Sequence, residues 1–176
     1  FGGKQVVLHE DGTWSELKPQ YRAPKLMFPG LGAIHWGYTR SQMLSRYPTA
    51  RRGDAGSLII DNQSLPAGDG DRRFWDVVLH FHFDSQDILH YVDIDMGARP
   101  ARADDLARLE TLLGRLFDEP GEVQTIRNGE ALSWEAAGQS TVVYLNPGVV
   151  LAARVQRMPD ALALWMGQLE KAGATR

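Results

Sequence analysis

Residues 74–94 read FWDVVLHFHFDSQDILHYVDI, and their alternation sets how the rest of the chain is read. Trp75, Val77, Leu79, Phe81 and Phe83 alternate with Phe74, Asp76, Val78, His80 and His82, the period of two that gives a strand one dry face and one mixed face. The odd-numbered residues form the core face. Asp84-Ser85-Gln86-Asp87 can bend the backbone through their own side chains, and Ile88-Leu89-His90-Tyr91-Val92 then resumes the β-branched and aromatic run. A hairpin this apolar belongs in the middle of a sheet.

Downstream, residues 96–103 form a linker with Gly97 and Pro100. Asp104 is placed to cap a helix carrying Leu106, Leu109, Leu112, Leu113, Leu116 and Phe117 on one face. Pro120-Gly121 ends it. Strands are expected at 122–127, 131–136 and 140–145, turned at Asn128-Gly129 and Ala137-Gly138, and Asn146-Pro147-Gly148 turns the chain into a fourth at 149–155. Pro159 suits the first position of a closing helix in which Leu162, Trp165, Met166 and Leu169 form a stripe.

Upstream of the hairpin, residues 61–72 are rich in Asp, Gly and Pro and read as a long loop after a short strand at 57–60. Loops of that length are commonly functional or mobile. Thr39-Arg40-Ser41-Gln42 is a capping box that opens a short helix with Met43, Leu44 and Tyr47 on one face, and Pro48 stops it. Residues 5–17, turned at Asp11-Gly12, form a β-hairpin. Pro19, Pro24 and Pro29 then punctuate an extended surface linker in which Leu26, Met27 and Phe28 are the apolar anchors.

The 176 residues and a hydrophobic fraction of 43% suffice for one well-buried core or two small lobes sharing a sheet. A net charge of −3, from 19 Lys+Arg against 22 Asp+Glu, offers no basic field to a phosphate backbone and argues against nucleic acid as a partner. No apolar run reaches the ~18 residues of a membrane span. With no cysteine there is neither a disulfide framework nor thiolate chemistry. Gly-x-Ser-x-Gly, His-Glu-x-x-His and Gly-x-x-x-x-Gly-Lys patterns are all missing, so no catalytic residue is assigned, no enzyme is expected and no cofactor is called for.

The two halves share an order of parts: a helix, a proline stop, a variable strand, a Trp-bearing strand and a hairpin. Gly37-Tyr38-Thr39-x-x-Gln42, Pro48, Trp75 and the turn at Asp87 in the first half answer to the 109–117 helix, Pro120, Trp134 and the turn at Gly148 in the second. This unit resembles the BamE (SmpA/OmlA) family of small envelope lipoproteins, and its tandem resembles the fold of the β-lactamase inhibitory protein. The resemblance implies an α+β fold of two helix-plus-antiparallel-sheet repeats with an N-terminal β-hairpin and a C-terminal helix. The division is 1–34 for the hairpin and linker, 35–100 for the first repeat and 101–176 for the second repeat with its closing helix. It also implies a non-enzymatic protein that binds another protein, in the periplasm or secreted; composition alone equally allows the cytoplasm, and nothing in the sequence sets the oligomeric state.

Two site readings compete on the mixed face. His80 and His82 share a strand face and His90 follows on the returning arm, so the three could converge on a metal ion in a metal-binding protein or metal-dependent enzyme; ordinary polar filling of a solvated face is the plain alternative. Asp69-Gly70-Asp71 and Asp93-x-Asp95 resemble pieces of calcium loops but lack the closing glutamate. Asp104-Asp105 is explained by the dipole of the helix it begins. The second reading takes Phe74, His80, His82 and Tyr91 as the aromatic centre of a protein interface, with Asp69 in the 61–72 loop as a rim contact.

Overall fold

The computed structural model describes residues 6–8, 14–16, 24–66, 74–97, 103–126, 129–136, 138–146 and 150–158. Along the chain these form β1 (Val6–Leu8), β2 (Trp14–Glu16), α1 (Arg40–Arg46), β3 (Arg51–Arg52), β4 (Leu58–Pro66), β5 (Phe74–Phe83), β6 (Leu89–Asp95), α2 (Ala103–Phe117), β7 (Glu122–Ile126), β8 (Gly129–Ala136), β9 (Gln139–Asn146) and β10 (Val150–Arg157). β1 and β2 make a small antiparallel hairpin with Leu8 opposite Trp14. The other eight strands form one sheet in the order β3-β4-β5-β6-β10-β9-β8-β7, every neighbouring pair antiparallel.

This corrects the expected fold class. Two helix-plus-sheet repeats closed by a C-terminal helix do not describe a molecule that is chiefly one eight-stranded antiparallel sheet with two α-helices among its described residues. The meanders fuse because the last strand of each, β6 and β10, pair from Ala152 opposite Asp95 to Gln156 opposite Tyr91. Left apart, each would present an edge of unpaired N–H and C=O groups beside a row of buried side chains, and pairing removes both edges at once. The stretch read as a closing helix, from Pro159 onward, lies outside the described residues.

The 74–94 hairpin lies near the middle of the sheet, as its composition demands. Trp75, Val77, Leu79 and Phe81 are buried, and they join Val92 and Ile94 of β6, Val155 of β10 and Val143 of β9 in a single core. α2 covers the second half of this face through Leu106, Leu109 and Leu113, at spacings of three and four. Leu112 is only partly buried and Leu116 is 39% exposed, so the stripe is narrower than the leucine count suggests. Asp104 and Asp105 both fall in the first turn of α2. Past its end, Gly121 lets the chain press on Trp134, since a Cβ there would sit 2.5 Å from the indole, and the indole N–H donates to the Glu119 carbonyl at 3.2 Å.

α1 opens with the expected box: Thr39 Oγ1 accepts the Gln42 amide and Gln42 Oε1 accepts the Thr39 amide. Met43 is fully buried, and the Tyr47 ring stacks on Phe81 at 6.0 Å.

Two other expectations fail. Residues 24–36 are not a surface linker but part of the core: Leu26 and Ile34 are wholly buried, and Phe28, Leu31 and Trp36 nearly so. The strip folds on itself through Leu26 N–H to Ile34 C=O and Trp36 N–H to Pro24 C=O, which lets prolines stand beside buried side chains. Gln139, itself buried, closes it against β9. Its Oε1 accepts the Met27 amide at 2.8 Å and its Nε2 donates to the Met27 carbonyl at 2.7 Å. Likewise 61–66 is not loop. β4 continues to Pro66 through a bulge between Ile60 and Gln63, where Asn62 takes a φ of 55°.

Gln139→Leu keeps the volume but strands two backbone groups, so it should cost about 2 kcal/mol or more in urea unfolding. Leu113→Ala should cost about 2–5 kcal/mol and Leu116→Ala less than about 0.5. Equal losses at 113 and 116 would mean that α2 turns another face to the sheet.

Candidate functional site

The helices and the 24–36 strip all contribute their buried residues to one face of the sheet, and on the other Val142, Tyr144 and Arg154 lie open to solvent. Strand register lays that open face out in rows. The first runs His82, Tyr91, Gln156, Ser140, Glu135 across β5, β6, β10, β9 and β8. Beside it run His80, Asp93, Arg154, Val142 and Ser133, and then Val78, Asp95, Ala152, Tyr144 and Ala131.

The expected interface residues His80, His82 and Tyr91 do lie together here. The His82 and Tyr91 rings stack with centroids 4.1 Å apart and planes at 11°, and the Arg154 guanidinium sits 4.5 Å above the Tyr91 centroid. Arg154 is held there by a two-pronged ion pair, Nε to Asp93 Oδ1 at 2.6 Å and Nη2 to Oδ2 at 2.9 Å. His82 Nε2 comes within 3.4 Å of the same carboxylate but makes no hydrogen bond. Phe74 pairs with Pro66 at the far end of β5, and its side chain lies outside the described residues, as does the whole of Asp69.

The three-histidine convergence is not formed. His90 is the extra residue of a bulge between His82 and Phe83, and its ring stands edge-on to Tyr91 at 5.6 Å. Among the described residues no three His, Asp or Glu side chains form a group that could hold a metal ion.

Beside the stacked rings the face dips into an open trough of about 630 Å³, walled by His80, Asp93, Asp95 and Arg154 on one side and Val142 and Tyr144 on the other. Its floor is Ala152, which pairs with Asp95 on β6 and with Tyr144 on β9. Val142 and Tyr144 are the exposed large apolar side chains of this face, at 36% and 40%. Reasoning from sequence missed Asp93, Asp95, Tyr144, Ala152 and Arg154 as a group. A signal existed for β9 alone, where Val142 and Tyr144 alternate with the buried Thr141, Val143 and Leu145. The partners across the strands depend on a pairing that no local pattern displays.

Burial lowers the His82 pKa from the ordinary histidine value; Asp93 opposes this, while His80 and Arg154 add to it. At the hairpin turn, burial works against the charged form of Asp84. The Ile88 and Gln86 amides and the Arg157 guanidinium, 2.9 Å away, outweigh it and hold the carboxyl below its usual range.

No family model matches the chain, and no match was found among curated proteins or among solved structures.

Both shifts have the same sign for stability. The unfolded chain protonates His82 first, so stability falls as pH drops below about 6.5, the unfolded histidine value, towards the lower folded one. Asp84 adds stability above the unfolded aspartate value that is lost as pH falls through its folded pKa. His82→Gln should flatten the dependence of the urea midpoint just below about pH 6.5, and Asp84→Asn the dependence below about pH 4. A His82 ring that titrates above the ordinary value in NMR would reverse the first expectation.

Proposed function

We propose that this chain is a non-enzymatic protein-binding protein that takes its partner on the open face of the eight-stranded sheet. The observation that carries this reading is the combination on one face of a ring stack, His82 on Tyr91 under Arg154, and an adjoining trough edged by half-exposed Val142 and Tyr144. Aromatic and arginine side chains set around a partly apolar depression have the composition of interface centres. The stack is already ordered by the Asp93 ion pair, so little side-chain freedom remains to be lost on association. The envelope location implied by the likeness to BamE units goes with this proposal, resting on the residues quoted for that likeness.

The test is capture from native cell extract with the immobilised chain, followed by reconstitution of the captured protein in pure form. Tyr91→Ala should weaken the reconstituted complex by about thirtyfold, equivalent to about 2 kcal/mol, while keeping a cooperative thermal melt. Val123→Ser, at a 62% exposed position on edge strand β7, should leave binding within about twofold. Binding that survives Tyr91→Ala but fails on Val123→Ser would move the interface to the sheet edge and refute the reading.

A further inference from the structure

Two adjacent rows of the open face can be compared residue by residue. In one, β6 supplies Asp93 and β10 supplies Arg154, whose guanidinium is clamped by the carboxylate and lies over the Tyr91 ring. In the next, β6 supplies Asp95 and β9 supplies Tyr144, again a carboxylate and a phenol ring, but between them β10 supplies Ala152. Asp95 and Tyr144 are therefore two strand spacings apart, about 9.5 Å, with only a methyl group on the floor between them. That gap is the trough.

The carboxylate is uncompensated. Asp95 lines the trough, its Oδ1 accepts the Gly97 amide at 2.7 Å, and among the described residues no cation pairs with it. Asp95 also borders a second depression of about 250 Å³ that holds Asp76, whose only described partner is the Ser64 hydroxyl at 3.2 Å. Asp93 is paired with Arg154 and Asp61, in the β4 bulge, with Arg51, which leaves Asp95 and Asp76 without a cation among the described residues. The excess is negative.

From this juxtaposition we propose that the trough is a slot for an arginine side chain of the partner protein, inserted over Ala152 with its guanidinium between the Asp95 carboxylate and the Tyr144 ring. The inserted group would make the two kinds of contact that Arg154 makes with Asp93 and Tyr91, with the ring supplied across the sheet from β9 instead of from β6. Arginine fits better than lysine. A planar guanidinium can lie flat on the ring and present paired N–H donors to the carboxylate, whereas an ammonium is a strongly hydrated point charge. Val142 and the Ala152 methyl give the aliphatic stem an apolar bed. The proposal rests on the protein-binding reading above and names the chemistry of its anchor.

The experiment needs no partner. Amide resonances of the isotope-labelled full chain are followed by NMR during titration with N-acetyl-arginine amide, with its neutral isostere N-acetyl-citrulline amide, with N-acetyl-lysine amide and with spermidine. The arginine probe should shift Asp95, Ala152 and Tyr144 saturably in the millimolar range, and citrulline should bind at least tenfold more weakly. Asp95→Asn should cost at least tenfold and Tyr144→Leu, which keeps apolar bulk but no ring, about threefold to tenfold. Glu135→Gln, on the same face but away from the trough, should change nothing. Citrulline binding as well as arginine, shifts centred elsewhere, or an unaffected Asp95→Asn would overturn the slot. Spermidine or the lysine probe binding tenfold more tightly than arginine would overturn its occupant. Because these readouts are independent of Tyr91→Ala capture, loss of the slot and loss of the protein-binding reading can be told apart.

Discussion

Backbone pairing between β6 and β10 is the contact on which the rest of the molecule depends. It joins two four-stranded meanders that otherwise share no strand pairing, and its register decides which side chains meet on each face. A slip of one residue would turn Arg154 into the core and Val155 out to solvent. Three features oppose that slip. Ala153 and Val155 are buried, Arg154 is clamped to Asp93 on the open face, and the nearly buried Arg157 reaches Asp84 at the hairpin turn. An ion pair exposed to solvent contributes little to stability by itself. Its use here is to make one register better than its neighbours, with apolar burial supplying most of the free energy.

The two faces of the sheet are treated differently. The core face is closed by three unlike pieces: the irregular strip 24–36, the short helix α1 and the longer α2. The strip has little regular structure to satisfy its own amides, so it borrows a side chain. Gln139, placed by β9 on the buried face, serves both the N–H and the C=O of Met27, one of the few polar groups that the core admits. The other face carries His, Tyr, Asp, Arg and Ser in register.

What was legible in the sequence was what local periodicity encodes. The alternation of 74–83 marked β5 and its buried face, the Thr39–Gln42 box marked the start of α1, and the turn residues separated β7 to β10 to within a few residues. Three things were not legible, for physical reasons. Polar Asp61 and Asn62 read as loop because a bulge tolerates them, although the strand runs on to Pro66. Leu26, Ile34 and Trp36 sit among prolines and glycines without helix or strand period, so their burial leaves no pattern. The fusion into one sheet, and with it the failure of the two-repeat expectation, is a long-range pairing between strands nearly sixty residues apart in sequence, about which local propensity is silent. For the site, His80, His82 and Tyr91 were found because β5 and β6 form one hairpin. Arg154, Ala152 and Tyr144 were missed because they reach that hairpin only across the seam.

That placement bears on what kind of recognition the face can perform. The candidate residues come from β5, β6, β9 and β10, central strands hydrogen-bonded on both sides, and in most sheets such strands are the last part to open. A surface built there is preorganised: its rings and charges are spaced by strand registry, and a partner need not order a loop before binding. The Asp95–Ala152–Tyr144 row has a width set by two interstrand spacings. Since Asp95 comes from the first meander and Ala152 and Tyr144 from the second, the site exists only when the seam is formed. Anything that binds across it favours the joined sheet over its separated halves, so binding there and the folding of the whole sheet are thermodynamically linked.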